Sequence, residues 1–204
     1  MIDFDSKARA WDADPRFMER GRHLAEAIRA RVILRQDMRA LDYGSGTGHL
    51  SFPLRGVVGH FTLVDSAAGM VDVAREKIAA QGIANMEARL GDMTTALQSD
   101  ERFDLICTAM ALHHIPDTDA ALAAFHHWLR PGGVLCVADL DQEDGAFHGP
   151  EVDVHHGFER AALAARAARA GFIGAEFATV FEIEKETATG VRAYPVFLMT
   201  ARRA

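Results

Sequence analysis

The chain contains no apolar run approaching the ~20 residues that a membrane-spanning helix needs. Its opening, Met1-Ile2-Asp3-Phe4-Asp5, does not read as a secretory signal, so the expected location is cytoplasmic. Cysteine is scarce. Cys107 and Cys136 are the two present, and no C-x-x-C occurs, which excludes a zinc ribbon or a thioredoxin-type pair. Both lie in apolar stretches, as reduced, buried thiols do. Positive charge is also in deficit: 22 Lys and Arg stand against 29 Asp and Glu, a formal net charge of −7. Nucleic acid is therefore not the expected partner, because phosphate binding needs a basic excess. There is no internal repeat, low-complexity tract or linker. With 204 residues, 49% hydrophobic and 25% charged, residues 1–204 read as one domain with a sizeable core.

Strand and helix patterns alternate from Met38 onward. Strands are expected at 38–43, 60–65, 86–91, 103–109 and 133–139, and helices at 49–58, 67–81, 118–129 and 158–170. Such alternation means βαβ units and a parallel sheet with right-handed crossovers. The strands are near-continuous apolar runs, as strands buried on both faces are. Two helical stretches precede them, Phe4 to Asp14 and Phe17 to Leu34, so that residues 1–35 form a helical cap. Near the C-terminus, Ala175 to Glu186 and Tyr194 to Arg203 are strand-like, and Thr187 to Ala193 between them is too short for a helix. That pair is expected to be an antiparallel hairpin.

The most informative stretch is Asp42-Tyr43-Gly44-Ser45-Gly46-Thr47-Gly48, which follows a buried strand and opens a helix. Glycine suits such a loop because it accepts positive φ and lets a ligand lie against the backbone. Asp42 is placed to accept from loop N–H groups and from a ligand amine. Two familiar uses of such a loop fail here. A dinucleotide site wants G-x-G-x-x-G, and His49 occupies the third glycine's place. A phosphate P-loop wants Gly-Lys-Ser/Thr, and no Lys is present.

The D-x-G-x-G-x-G spacing from Asp42 to Gly48 instead resembles the first motif of class I S-adenosylmethionine-dependent methyltransferases. Later motifs of that family are similar to Phe103-Asp104, Leu112-His113-His114-Ile115 and Leu129-Arg130-Pro131-Gly132-Gly133, so the likeness covers about residues 38 to 140. The opening from Phe4 to Trp11-Asp12 resembles the small-molecule branch of the ubiquinone and menaquinone biosynthesis type. The resemblance implies an α/β, Rossmann-like three-layer sandwich. Its seven-stranded, mostly parallel sheet has the order 3-2-1-4-5-7-6 with an antiparallel C-terminal strand. It also implies S-adenosyl-L-methionine as cofactor and S-adenosyl-L-homocysteine as product.

In an open parallel sheet the ligand sits at the carboxyl ends of the strands, so those ends supply the candidates. Asp65, followed by Ser66, is placed either to take both ribose hydroxyls or to cap the next helix. Met70 either packs on an adenine face or is plain core. Asp92 can accept from an adenine amino group, and the Met93 N–H can donate to a ring nitrogen. Ala109 closes the fourth strand. The cofactor set is thus Asp42, Gly44, Gly46, Gly48, Asp65, Ser66, Met70, Asp92, Met93 and Ala109. His113 and His114 follow the fourth strand, where the family's donor methyl faces. Either one acts as a general base, or one lies at the surface and the other bonds backbone.

The long segment after the fifth strand, Asp139 to Phe158, reads as a binding loop. Phe147, His148, His155 and His156 are expected to shape the acceptor pocket. A metal site from His148, Asp153, His155 and His156 is the competing use. It matches no familiar spacing, and adjacent histidines rarely share one ion, so no metal is expected. Trp11, placed with the substrate residues, and Arg20 either close over the cofactor, with Arg20 pairing its carboxylate, or serve packing and a surface ion pair. The fourth-strand loop Ala109-Met110-Ala111-Leu112 lacks the Asn/Asp-Pro-Pro-aromatic signature of base and glutamine amino-methyltransferases, and no paired-glutamate loop of protein arginine methyltransferases is visible. The expected partner is therefore a small molecule with an O-, C- or N-acceptor, bound by a monomer or homodimer. The alternatives are a non-catalytic adenosylmethionine-binding module or partner subunit, and a nicotinamide oxidoreductase. The glycine spacing and the terminal hairpin count against the last.

Overall fold

The computed structural model describes residues 4–93, 95, 97, 100–187 and 190–204. Two helices lead, α1 (Phe4–Ala13) and α2 (Pro15–Arg31). Asp14 separates them, because its carboxylate accepts from Arg16 N at 2.9 Å and Pro15 at the first helical position needs no donor. Then follow β1 (Arg39–Tyr43), α3 (Ser51–Leu54), β2 (His60–Asp65), α4 (Ala68–Ala80), β3 (Met86–Leu90) and β4 (Phe103–Ala109). The chain ends with α5 (Thr118–Trp128), β5 (Leu129–Leu140), α6 (Arg160–Arg169), β6 (Phe172–Thr187) and β7 (Gly190–Arg203).

The sheet order is β3-β2-β1-β4-β5-β7-β6, as the sequence predicts. The first five strands are parallel, and β7 runs antiparallel to both neighbours. Alternate strand residues feed two cores. Ala40, Leu63, Leu105 and Leu198 face α2, α3 and α4, while Leu41, Val64, Ile106 and Phe197 face α5 and α6. This gives the three layers. Cys107 and Cys136 are partners on β4 and β5, both buried and free.

Three boundaries depart from expectation. The helix predicted over 49–58 is α-helical only from Ser51 to Leu54, since Pro53 removes a donor and Gly56 follows. β5 starts at Leu129 rather than 133, across a register irregularity opposite Phe103–Leu105. The hairpin is tighter than the 187–193 loop predicted. Thr187 already pairs with Gly190, and positions 188 and 189 of the predicted loop lie outside the described residues. Helix α2 packs on the sheet at β6 and β7, and α1 packs on α4. Ala8 of α1 packs with Ala67, Met70 and Val73, and Asp5 accepts from Gly69 N at 2.7 Å at the start of α4. Among the described residues no helix is long and apolar enough to cross a membrane.

Candidate functional site

The strand order reverses between β1 and β4, and a crevice outside their carboxyl ends is the ligand site of such a sheet. A surface cleft of about 380 Å³ lined by Arg75, Ile78, Gly82 and Ala88 lies at the opposite edge, between the end of α4 and the start of β3, and has no part in this site.

The glycine loop fills the reversal point. Gly44, Gly46 and Gly48 have φ of 68°, 53° and 88°, the left-handed region that side chains avoid. Each is glycine for its own reason. A Cβ at Gly44 would lie 2.4 Å from the Cβ of Ala111, and one at Gly48 would strike Phe52 and Leu63. A Cβ at Gly46 would come no nearer than 3.9 Å to Met70 Sδ and Trp11 Nε1. Gly44 and Gly48 are therefore packed, and Gly46 is the open face of the cradle.

Asp65 supports that face. Its Oδ2 accepts from Gly46 N at 2.7 Å and its Oδ1 from Ala67 N at 2.9 Å. Burial pushes its carboxyl above the usual range, and the backbone donors at 67 and 46 oppose this. The cap reading is seen: the carboxylate braces the loop and the entrance to α4. Ser66 beside it is exposed. Met70 is buried under the loop against Ala8.

Asp42 is a correction. It was expected to meet a ligand amine, but only 1% of it is exposed and its carboxyl receives the hydroxyl of Ser51. Position 42 shares a face with Ala40, so the side chain points into the α3 layer. Burial raises its carboxyl to about 7. Asp92 forms a turn with Thr95, accepting from its N at 3.1 Å, and stays exposed. The Met93 backbone bonds the Tyr43 hydroxyl, so its N–H is directed to the protein. Ala109 ends β4 opposite Ala138.

Met110 follows with φ 54°, a conformation that costs a non-glycine residue about 1–3 kcal/mol. It turns the chain so that Ala111 abuts Gly44 and the 3-10 turn Leu112–His114 faces β5. There the histidines gather. His113 is buried, and its Nδ1 meets Asp139 Oδ1 at 2.6 Å while its N donates to Asp139 Oδ2 at 3.1 Å. Its Nε2 lies 3.0 Å from Nε2 of His148. The His114 ring is 4.1 Å from that of His113 and 5.2 Å from that of His148, centroid to centroid. Burial and the neighbouring imidazoles lower His114 to about 3 and His148 to about 4, so both are neutral near pH 7.

The loop after β5 is built differently from expectation. Phe147 is core: it packs edge-on to Tyr194 at 5.1 Å, and Lys185 Nζ sits over its ring at 4.7 Å. His155 is a buckle. Its N donates to the His113 carbonyl at 2.9 Å, and its Nε2 lies 3.1 Å from the carbonyls of Ile115 and Pro116. His156 is exposed over Gly145. Of the four predicted pocket residues, only His148 points toward the strand ends. The metal set of His148, Asp153, His155 and His156 is not assembled, since His155 is turned to backbone and Asp153 is exposed. Sequence reasoning missed Asp139 as a site residue, although an acid ending β5 beside a post-β4 histidine was a signal.

Trp11 stacks on Phe17 at 3.6 Å, and its Nε1 would lie 3.9 Å from a Cβ at Gly46. Arg20 lies over Phe17 at 5.2 Å. Lys77 fastens α1, binding Asp12 Oδ1 at 2.6 Å and the Thr47 carbonyl at 3.0 Å.

Residues 34–182 match the family model described as a methyltransferase domain. The chain belongs to the methyltransferase family. The donor that this class of Rossmann-like methyltransferase uses is S-adenosylmethionine. Among curated relatives, the chain is 37% identical to the biotin biosynthesis bifunctional protein BioCD of Bordetella avium over 131 residues, 60% of this chain and 26% of that one. It is 34% identical to the ubiquinone/menaquinone biosynthesis C-methyltransferase UbiE of Shewanella halifaxensis over 112 residues, 53% of this chain and 45% of that one. The chain thus spans less than half the length of these relatives. Among solved structures, phosphoethanolamine N-methyltransferase 2 of Haemonchus contortus, in complex with S-adenosyl-L-methionine, shares the fold. The TM-score is 0.72 at 17% identity, over 89% of this chain and 52% of that one.

The cradle fits that donor. Gly46 leaves room where a side chain would sit, and Asp65 presents carboxylate oxygens beneath it.

Proposed function

We propose that this chain transfers the methyl group of S-adenosylmethionine to a small-molecule acceptor. The observation that carries the reading is the Gly46–Asp65 contact at the reversal point of the sheet, which sets an anchored carboxylate under an open glycine. When bound, the cofactor supplies an electrophilic methyl on a sulfonium sulfur. The protein's own task is then to align donor and acceptor and to exclude water. Asp65 takes the ribose hydroxyls, Gly46 leaves space for the ligand's chain, and Asp92 lies where an adenine amino group would donate. Asp42 acts at one remove, holding the start of α3 against the loop.

The acceptor enters over the turn after β4 and the loop after β5, beside His113, His114 and His148. Neutral imidazoles lowered to about 3 and 4 are poor reservoirs of positive charge and suit a site that must stay open to an electron-rich atom. Of residues 1–35, the described helices α1 and α2 serve as a cap on a single domain, with Trp11 on the cofactor side. The protein acts as a monomer or homodimer.

Calorimetric titration with S-adenosylmethionine, S-adenosylhomocysteine and NAD tests the reading. Binding of the adenosyl ligands but not NAD, weakened tenfold or more in a folded Asp65→Ala variant, is expected. No adenosyl binding, or binding indifferent to Asp65, overturns it.

A further inference from the structure

The sequence places His113 and His114 next to each other and His148 35 positions beyond the first of them. The fold brings all three together. Among the described residues, one ligating nitrogen from each lies within 4.8 Å of the others. Adjacent histidines rarely share an ion on a strand, where side chains alternate in direction. Here they stand on the 3-10 turn Leu112–His114, and their ring centroids are 4.1 Å apart.

The surroundings of His113 go beyond chance proximity. Its Nδ1 is committed to Asp139, which is wholly buried and held by His113 N and by Leu140 N at 2.8 Å. That directs the His113 Nε2 lone pair outward as an acceptor. A carboxylate behind a histidine in this way orients metal ligands and raises their basicity. The His113 Nε2 is hydrogen-bonded to His148 Nε2 at 3.0 Å, a contact that an ion would replace once the bridging proton leaves. Nitrogens around a tetrahedral ion at ~2.0–2.1 Å stand roughly 3.3 Å apart, so this pair is nearly spaced for one ion. His114, whose ring is edge-on to Phe4 at 5.4 Å, supplies the third nitrogen.

We propose that His113, His114 and His148 bind one divalent transition-metal ion of the zinc class, with a fourth position open toward the acceptor. Three neutral imidazoles select borderline ions over magnesium or calcium. They leave the ion's double positive charge uncompensated, apart from Asp139 behind His113. The ligand that fits the open position is an anionic oxygen, so the acceptor class is one that offers a phenolate, enolate or carboxylate oxygen. This last step rests on the acceptor side assigned above. The metal site itself does not.

The test separates the two. The full chain is dialysed against a chelator and titrated with Zn²⁺ and Co²⁺, and metal content is measured after gel filtration. One ion per chain is expected, with the visible d–d bands of four-coordinate Co²⁺ and a melting temperature raised by Zn²⁺. His148→Ala and His114→Ala are expected to weaken binding at least tenfold, and His156→Ala to leave it unchanged. Wild-type protein with no stoichiometric uptake overturns the site, as does uptake equal in wild type and both cluster variants, or a Co²⁺ spectrum of the hydrated ion. Adenosyl-ligand binding is measured on the metal-free chain. Its presence without metal uptake rejects the metal site and spares the methyltransferase reading, and uptake without adenosyl binding does the reverse.

Discussion

From the end of β1, the carboxyl of Asp42 meets the hydroxyl of Ser51, and both side chains are closed to solvent. The pair ties the strand to the start of α3, and it makes Asp42 an acid with a carboxyl raised to about 7. An acid whose folded value exceeds its unfolded value holds its proton more tightly when folded. Its contribution to stability is therefore present at low pH and is lost as pH rises from about 4 through about 7. The full difference corresponds to at most about 4 kcal/mol. Replacing Asp42 with Asn removes the titration and keeps an acceptor for Ser51. Thermal melts of Asp42→Asn should exceed wild type at about pH 8, with the gap closing toward about pH 5. A gap independent of pH would show that this carboxyl is not the source.

Gly44 and Gly46 separate packing from ligand clearance. Alanine at Gly46 meets nothing within 3.9 Å and carries only the left-handed backbone cost of about 1–2 kcal/mol. The methyl would project into the face reserved for the cofactor. Gly46→Ala should fold with a modest fall in melting temperature and lose tenfold or more in S-adenosylhomocysteine affinity. Gly44→Ala must also push β1's loop off Ala111, 2.4 Å away, so its melting temperature should fall further. Calorimetry and melting on the two variants check the ordering.

The loop after β5 should answer through stability rather than recognition at two of its residues. Phe147→Ala opens a void between Tyr194 and Lys185 and should cost about 2–4 kcal/mol in chemical unfolding, near the lower end for a buried ring. His155→Ala removes the one Nε2–H shared between the carbonyls of Ile115 and Pro116, worth about 0.5–1.5 kcal/mol in all. Limited proteolysis between 141 and 158 should then accelerate while adenosyl binding holds. His156→Ala should leave both unchanged.

The sheet was legible because its strands are apolar on both sides and its glycine loop has a fixed spacing. Even the antiparallel ending followed from a stretch too short for a helix. What the sequence concealed was direction. Asp42 and Asp65 both end strands, yet one turns inward to Ser51 and the other holds Gly46, a difference set by which face each register position takes. Phe147 and His155 looked like pocket residues because an aromatic or polar group in a long loop carries no mark of whether the loop lies down on the sheet. The meeting of His113 with His148 depends on that same loop lying down, and the Lys185 and His155 contacts do that work from residues far away in sequence.

Helix α1 touches both halves of the site. Trp11 reaches Gly46, and Phe4 lies against His114, while Asp5 and Asp12 pin the helix to α4 at Gly69 and Lys77. One short helix thus touches the glycine loop and the histidine turn and is held to α4 at two points, so a substitution at Asp5 or Asp12 is felt at both ends of the crevice.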